Sequence, residues 1–430
     1  MPATTDLIDD IRWRGLIHQT TDEAALRGHL ASSRKVYVGF DPTSDSLTIG
    51  NLIGIMMLRR FQLAGHTPVV VMGGGTGMIG DPSGKSAERN LLTLETVAAN
   101  VRSQRRIFER LLKFDGPNPA VMVNNADWLG KLSYLELLRD IGKHFSVNEM
   151  IKRDSVRDRI EREQGISYTE FSYMVLQAYD YLHLFRDMGV TLQAGGSDQW
   201  GNILSGMELI RKLAGAGGPV ESHALTWPLV TKADGTKFGK TESGAVWLTA
   251  DRTSPYAFHQ FWLNTADADA VKFLKFFTLL PREEIAALEQ SHSADPAKRE
   301  AHKALATHMT TLLHGEAELR NAEAAAQALF SGDVASLPLA TLEEVFASVP
   351  SSEHPKQLLE GQGAALVDVL AQTSLAKSKT EARQHLSTGA VTLNGAKVGE
   401  ADRLTADKLL HGSLALLRRG KKTWHVTRWR

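Results

Sequence analysis

Three stretches of this chain carry residue types and spacings suited to chemistry on a phosphate. The first, "VVVMGGGTGMIGDPSGKSAER" (69–89), imitates two nucleotide loops at once. Gly75, Gly77 and Gly80 have the spacing of a dinucleotide fingerprint, and Gly84-Lys85-Ser86 nearly completes an ATPase P-loop. Neither motif closes. The fingerprint needs an acidic residue ending a second strand about 20 residues on, where the chain reads "LLTLETVAANVRSQ" in a helical pattern. The P-loop needs glycine where Ile79 stands. A turn requiring positive φ and tight strand–helix packing accounts for Gly73 to Gly77. It leaves the polar residues Asp81, Lys85, Glu88 and Arg89 unexplained.

The second stretch, "YVGFDPTSDSLTIGN" (37–51), sets a Gly-Phe-Asp-Pro-Thr turn before a helix start at Ile49-Gly50-Asn51. The third, "KADGTKFGKTESG" (232–244), gathers Lys232, Lys237 and Lys240 with Thr236 and Thr241 in one loop. Backbone donors at a helix start favour anions, and a lysine loop can close on a polyphosphate. Together they make a clamp for ATP that needs no P-loop. By itself the third stretch reads better as a solvated charged loop; the stretch upstream turns the reading toward the clamp.

The elements that must hold these groups open as a doubly wound α/β sheet. "KVYVGF" and "TPVVVM" are short β-rich runs, and Leu47 to Leu63 has helical spacing with Gly65 as its stop. Residues 90–190 are mostly helical in pattern. "VTLQAGG" (190–196) is a strand entering a glycine-rich loop, 252–330 return to helices, and proline and serine around 331–362 indicate a connector. Near the end, Asn394-Gly395 between alternating runs signals a hairpin.

Bulk properties narrow the class. The 430 residues carry 49 basic and 49 acidic side chains and no cysteine, which removes disulfides, thiol nucleophiles and cysteine metal sites and favours the cytoplasm. Neither a signal peptide nor a membrane span is expected. Net neutrality hides a basic end: residues 374–430 hold 12 basic against 4 acidic residues, so nucleic acid contact is expected there alone.

With these residues in place, the chain resembles the bacterial-type tyrosyl-tRNA synthetases, which are class I aminoacyl-tRNA synthetases, over essentially its full length. "GFDPT", "GDPSGK", "GKHFSVN", "YTEFSYMVLQAYD", "GGSDQWGN", "TKADGTKFGKT" and "TSPYAFHQFW" match in order. "KFGKT" stands at the class lysine-serine signature and "TIGN" at its His-Ile-Gly-His signature. The resemblance implies a Rossmann-like catalytic domain over 1–250, with a helical insertion at about 120–190 and the KFGKT loop at 237–241. A helical tRNA-contacting domain (251–330), a linker (331–364) and a basic α+β RNA-binding domain (365–430) follow.

The implied reaction joins L-tyrosine to ATP, supplied with Mg²⁺, and then passes the tyrosyl group to the terminal adenosine of tRNA(Tyr). A carboxylate nucleophile needs no general base, so positioning and charge neutralisation should dominate. By resemblance, Lys237, Lys240 and Thr241 close over the phosphates, with Lys85, Arg89 and Thr43 beside them. Gly39, Asp41, Pro42, Gly50, Asn51, Gly196, Asp198 and Lys240 line the ATP site. Tyr173, Gln177 and Asp180, at i, i+4 and i+7, share one helix face. Tyr173, Gln177 and Asp81 hold the amine, Asp180 and Tyr37 the phenol, Gln199 the carboxyl region, and Gln193 buttresses the amine site. No protein metal site is implied. Thr48 and Asn51 replace both signature histidines, so Lys240, Lys237 and Thr43 are expected to carry the γ-phosphate.

The C-terminal stretch resembles a small RNA-binding fold shared with a ribosomal protein. Lys377, Lys379, Arg383, Arg418, Arg419, Lys421 and Lys422 are its expected phosphate contacts, with Trp424 and Trp429 for bases. The resemblance also implies a homodimer through "WLGKLSYLELLRDIGKHFSV" (128–147). Two other readings stand beside this one: a tryptophanyl enzyme of the same architecture, and a paralogue that has lost activation and only binds RNA.

Overall fold

A computed structural model describes residues 6–430 apart from 84–90, 162–164, 215–219, 237, 242–243, 332–333, 348 and 421–422. The chain divides into two compact units, Met1–Thr253 with Trp262–Leu313, and Ser254–Phe261 with His314–Arg430.

The first unit is built on a six-stranded sheet. Its strands are β1 (Gln19–Thr20), β2 (Lys35–Phe40), β3 (Thr67–Met72), β4 (Val121–Asn124), β5 (Val190–Gly196) and β6 (His223–Trp227), in the order β1-β6-β5-β2-β3-β4. All neighbours are parallel except β1, which pairs antiparallel with β6. From β2 the chain winds outward through β3 to β4, then returns to the other side for β5 and β6. The reversal leaves a crevice at the carboxyl ends of β2 and β5, where such sheets bind ligands. Strand β4 lies inside the stretch expected to be helical insertion. Its four apolar and polar residues, "VMVN", are too few to show a period against the helices around them.

Helix Ile49–Leu63 packs on β2 and β3, with Leu52, Ile55, Met56 and Phe61 fully buried. Helix Tyr168–Met188 covers the other side of the crevice and packs on Trp200–Ala214. Ser167 accepts the Glu170 N–H at its start, and Gly189, at φ 66°, ends it. Gly206 is needed for that helix pair: a Cβ there would meet Tyr181 Cβ at 3.0 Å.

The expected helical domain over 251–330 is divided between the two units, a correction with a local cause. Helix Asp267–Phe277 is joined to the sheet unit through its final carbonyls. Arg14 donates to the carbonyls of Lys275, Thr278 and Leu280, and Arg60 donates to those of Phe276 and Thr278. Two buried guanidiniums thus satisfy a helix end that would otherwise need water. Helix Glu316–Ser331 belongs to the second unit.

Strands β7 (Lys240–Thr241) and β8 (Gly244–Ala245) form a small hairpin in the first unit. The second unit holds β9 (Ser351–His354), β10 (Ala364–Ala365), β11 (Val391–Leu393), β12 (Ala396–Lys397), β13 (Arg403–Leu404), β14 (Leu414–Arg419) and β15 (Thr423–Trp429). Five of them make a sheet in the order β12-β11-β14-β15-β9, while β10 pairs with β13. The turn between β11 and β12 has positive φ at Asn394 and Gly395 (50° and 91°), as the hairpin signal predicts. Residues 331–364 are not a linker. β9 is the edge strand parallel to β15, and Leu337, Leu342 and Phe346 pack with Leu414, Leu416 and Val426. Its serines had suggested a connector because an edge strand exposes one face.

A buried polar seam joins β9 to β15. Ser352 Oγ lies 2.7 Å from His354 Nε2 and 3.0 Å from His425 Nε2, and Ser374 Oγ lies 2.9 Å from His425 Nδ1. Burial, and then the neighbouring His354, pull the His425 pKa down to about 4. The unfolded chain therefore binds the extra proton first. The stability this histidine contributes is full above about pH 6.5 and is lost as pH falls toward 4, by about 2 kcal/mol after allowance for solvent screening. Thermal unfolding of the second unit at pH 7.5 and pH 4.5 should show that loss, and His425→Gln should flatten it. An unchanged pH dependence in the variant would exclude the seam as its source.

Candidate functional site

At the carboxyl ends of β2 and β5 lies a cleft of about 310 Å³. Fourteen expected residues line it: Tyr37, Gly39, Asp41, Thr43, Gly50, Asn51, Asp81, Tyr173, Gln177, Asp180, Gln193, Gly196, Asp198 and Gln199. Tyr37 and Gln193 face each other in register across β2 and β5. The helix-face spacing holds, since Tyr173 and Asp180 are buried and Gln177 is half-buried on one wall.

Asp180 is the deepest acid. Asn125 Nδ2 donates to its Oδ2 at 2.9 Å and Trp128 Nε1 to its Oδ1 at 2.7 Å. Burial outweighs both donors and, with Asp41 adding like charge, lifts its pKa to about 7. Tyr37 lies close enough for that carboxylate to add to burial in raising the phenol well above its ordinary range. The Tyr37 hydroxyl and Gln193 Oε1 are buried with no hydrogen-bond partner among the described residues. Orphaned polar atoms in a cleft wall mark where ligand atoms belong.

Further out, Asp41 receives Thr76 Oγ1 at 2.8 Å and the Tyr173 hydroxyl at 3.0 Å. Gln199 Nε2 donates to Asp81 Oδ2 at 2.7 Å. Sequence reading missed Asn125 and Trp128, which act through Asp180; the only signal was "NNADW" following an apolar run. It also misjudged the glycine-rich turn. None of Gly73, Gly74, Gly75 and Gly77 has positive φ. Close approach is what requires them: a Cβ on Gly73 would fall 2.1 Å from Asp41 Oδ1, and one on Gly74 2.1 Å from Asn124 Oδ1.

Two expected residues stand outside the cleft wall. The Pro42 carbonyl instead accepts from Asn100 Nδ2 at 2.9 Å. Thr48 caps helix Ile49–Leu63, its N–H and Oγ1 both donating to Asn51 Oδ1 at 3.0 and 2.9 Å. The pair that replaces the signature histidines is thus tied to itself. Lys85, Arg89, Lys237, Lys421 and Lys422 lie outside the described residues, and the side chains of Lys240 and Thr241 likewise. Phe238 and Gly239, between Lys237 and Lys240, are anchored. Phe238 sits among Phe273, Phe277 and Trp262 at centroid distances of 4.7, 5.1 and 5.8 Å. Gly239, at φ 85°, approaches the helix start so closely that a Cβ would meet Ile49 Cγ2 at 2.6 Å.

In the second unit, several expected RNA contacts are occupied. Lys379 pairs with Asp368, Arg383 with Glu400 and Arg419 with Glu381, while Arg418 covers Trp424 at 5.0 Å. Lys377 is exposed. Trp429 is a correction. It is 1% exposed, stacks on His354 and donates to Thr427 Oγ1, so it is core and cannot receive a base. Only Trp424 remains for that role.

The fold agrees with what known proteins show. A family model described as tRNA synthetases class I (W and Y) matches residues 31–331. The chain belongs to that family. A second model, described as a tyrosine–tRNA ligase SYY-like C-terminal domain, matches residues 341–427. The tyrosine–tRNA ligase of Geobacillus kaustophilus is 51% identical over 427 residues, 99% of this chain and 100% of its own. That of Roseiflexus castenholzii is 49% identical over 99% of each. A C-terminally truncated mitochondrial tyrosyl-tRNA synthetase from Aspergillus nidulans superposes with a TM-score of 0.68 at 29% identity, covering 76% of this chain and 95% of that one.

Proposed function

We propose that this chain is a tyrosine–tRNA ligase, activating L-tyrosine with ATP and transferring it to tRNA(Tyr). The observation that carries the reading is the pairing of Tyr37 with Asp180 at the cleft floor. Asp180, ionised, only accepts hydrogen bonds, and the orphaned Tyr37 hydroxyl can donate one. A phenol satisfies both at once. An indole N–H would leave Tyr37 unpaired, and a phenyl ring would do the same while giving Asp180 nothing beyond its Asn125 and Trp128 donors.

Asp81, Tyr173 and Gln177 hold the substrate ammonium, with Gln193 behind them and Gln199 toward the carboxylate. A tyrosine carboxylate oxygen attacks the α-phosphorus, the bond to the β-phosphate oxygen breaks, and pyrophosphate leaves. Asp198 takes the ribose, the backbone at Gly39, Asp41, Gly50 and Gly196 borders the nucleotide, and Thr43 and Asn51 face the phosphates. Lys85, Arg89, Lys237, Lys240 and Thr241 neutralise the leaving charge. Mg²⁺ arrives as part of the triphosphate. Lys377 and Arg418, with the paired cations of the second unit, meet tRNA phosphates; exposed ion pairs exchange for phosphate at little cost.

We also place the protein in the cytoplasm as a homodimer. Tyr134, Leu135, Leu138 and Val147, all within 128–147, are 42–75% exposed, an apolar face fit for a second copy. No helix among the described residues is long and apolar enough to cross a membrane. ATP–pyrophosphate exchange tests the reading. Exchange should require tyrosine; exchange with tryptophan instead, or with no amino acid at all, would overturn it.

A further inference from the structure

Asn202 lies behind the cleft wall on helix Trp200–Ala214 and is 3% exposed. Its Nδ2 donates to Gln177 Oε1 at 2.9 Å. Gln177 Nε2 donates to Gln199 Oε1 at 3.2 Å, and Gln199 Nε2 donates to Asp81 Oδ2 at 2.7 Å. Asp81 Oδ1 takes the Ser83 N–H at 2.9 Å. Three carboxamides thus run head to tail into a carboxylate.

Each carboxamide could in principle be turned either way round, since its oxygen and nitrogen have the same shape. The terminus removes that freedom. A carboxylate only accepts, so Gln199 must give it the nitrogen. Its oxygen then faces Gln177, which must donate, and the oxygen of Gln177 faces position 202, which must donate in turn. The chain has one permitted polarity, and it closes only if residue 202 supplies an N–H.

We propose that Asn202 is a positioning residue for recognition of the substrate amine. Its amide holds the Gln177 oxygen toward residue 202 and the Gln177 nitrogen toward Gln199, which in turn keeps an N–H on one oxygen of Asp81. The remaining lone pairs of Gln177 and Asp81 are thereby presented in a fixed direction to an ammonium group. The inference rests on the reading of this cleft as the tyrosine site.

Asn202→Asp preserves shape and reverses chemistry. An ionised carboxyl there must accept, so Gln177 turns its nitrogen inward, Gln199 follows, and an amide oxygen ends against Asp81 with no proton between them. At pH 8 the KM for tyrosine should rise about 10-fold or more while the KM for ATP stays within about twofold. At pH 6 the deficit should shrink, because the buried carboxyl takes a proton and donates as the amide did. Asn202→Ala, lacking donor and repulsion alike, should give a smaller rise that is the same at both pH values. An unchanged tyrosine KM, an equal rise for ATP, or a pH-independent deficit in the aspartate variant would overturn the proposal.

A second measurement is independent of the substrate. The ¹⁵N–¹H signals of the Gln199 side-chain amide should move in Asn202→Asp, although Gln199 has no hydrogen bond to residue 202 among the described residues. Unmoved signals overturn the relay. If instead the unsubstituted chain shows no tyrosine-dependent exchange, it is the functional reading that falls, and these signals still decide the relay.

Discussion

Asp180→Ala is expected to lower kcat/KM for tyrosine in pyrophosphate exchange by about 10³-fold, or roughly 4 kcal/mol of transition-state binding. The variant removes the acceptor for the phenol. It also strands the N–H groups of Asn125 and Trp128, which are held 2.9 and 2.7 Å from the carboxylate. Discrimination against phenylalanine should fall along with it, since of the two groups that meet the phenol only the Tyr37 hydroxyl remains. A loss below about 10-fold, with discrimination intact, would place the phenol elsewhere. The same residue predicts a pH effect. Its pKa is near 7 in the free protein because burial opposes the charge. A phenol donating to the carboxylate favours the ionised form and lowers that pKa in the complex. Tyrosine affinity should therefore weaken as pH falls below about 7, a trend that Asp180→Ala should lack.

A chain ending at Ser331 should keep pyrophosphate exchange within about threefold and lose tRNA charging by about 100-fold or more, because the cations expected at RNA phosphates lie beyond that point. Charging by the shortened chain at the full-length rate would refute the assignment of the second unit to tRNA. Cutting near residue 365, which the proline- and serine-rich text around 331–362 invites, should fare worse. That cut keeps β9 but removes β15, the strand it pairs with. It also uncovers Leu342 and Phe346, which pack against Leu414, Leu416 and Val426. The expected readout is aggregation during purification, with less of it in the chain ending at Ser331, which keeps only Ala325 and Ala328 of that cluster's buried residues.

Much of the sheet was legible because buried parallel strands leave continuous apolar runs, as "KVYVGF" and "TPVVVM" do. Strands β4 and β9 were not, the one too short to show a period and the other half-exposed. In the cleft, the residues that line the wall were readable from their place in matched blocks and from the i, i+4, i+7 spacing. Those that hold them were hidden. Asn125, Trp128 and Asn202 donate to Asp180 and Gln177 from 25 to 55 residues away, and no local pattern records a contact that only folding creates. Trp429 was misread for the opposite reason: a cation-rich tail looks like an RNA surface, yet alternation along β15 turns its last ring inward. Phe238 shows the same limit. Within "KFGKT" the lysines draw attention, while the phenylalanine between them pins the loop into an aromatic cluster.

The division of the chain also dictates the order in which it can mature during synthesis. The first unit needs Trp262–Leu313 as well as Met1–Thr253, and the second claims the eight residues between. A nascent polypeptide emerging from the ribosome therefore cannot finish the sheet-bearing unit when the last sheet strand appears. It must wait about 50 residues for the helix to whose terminal carbonyls Arg14 and Arg60 donate. Until then those two guanidiniums face water, and the growing protein is most exposed to chaperones and proteases in that interval.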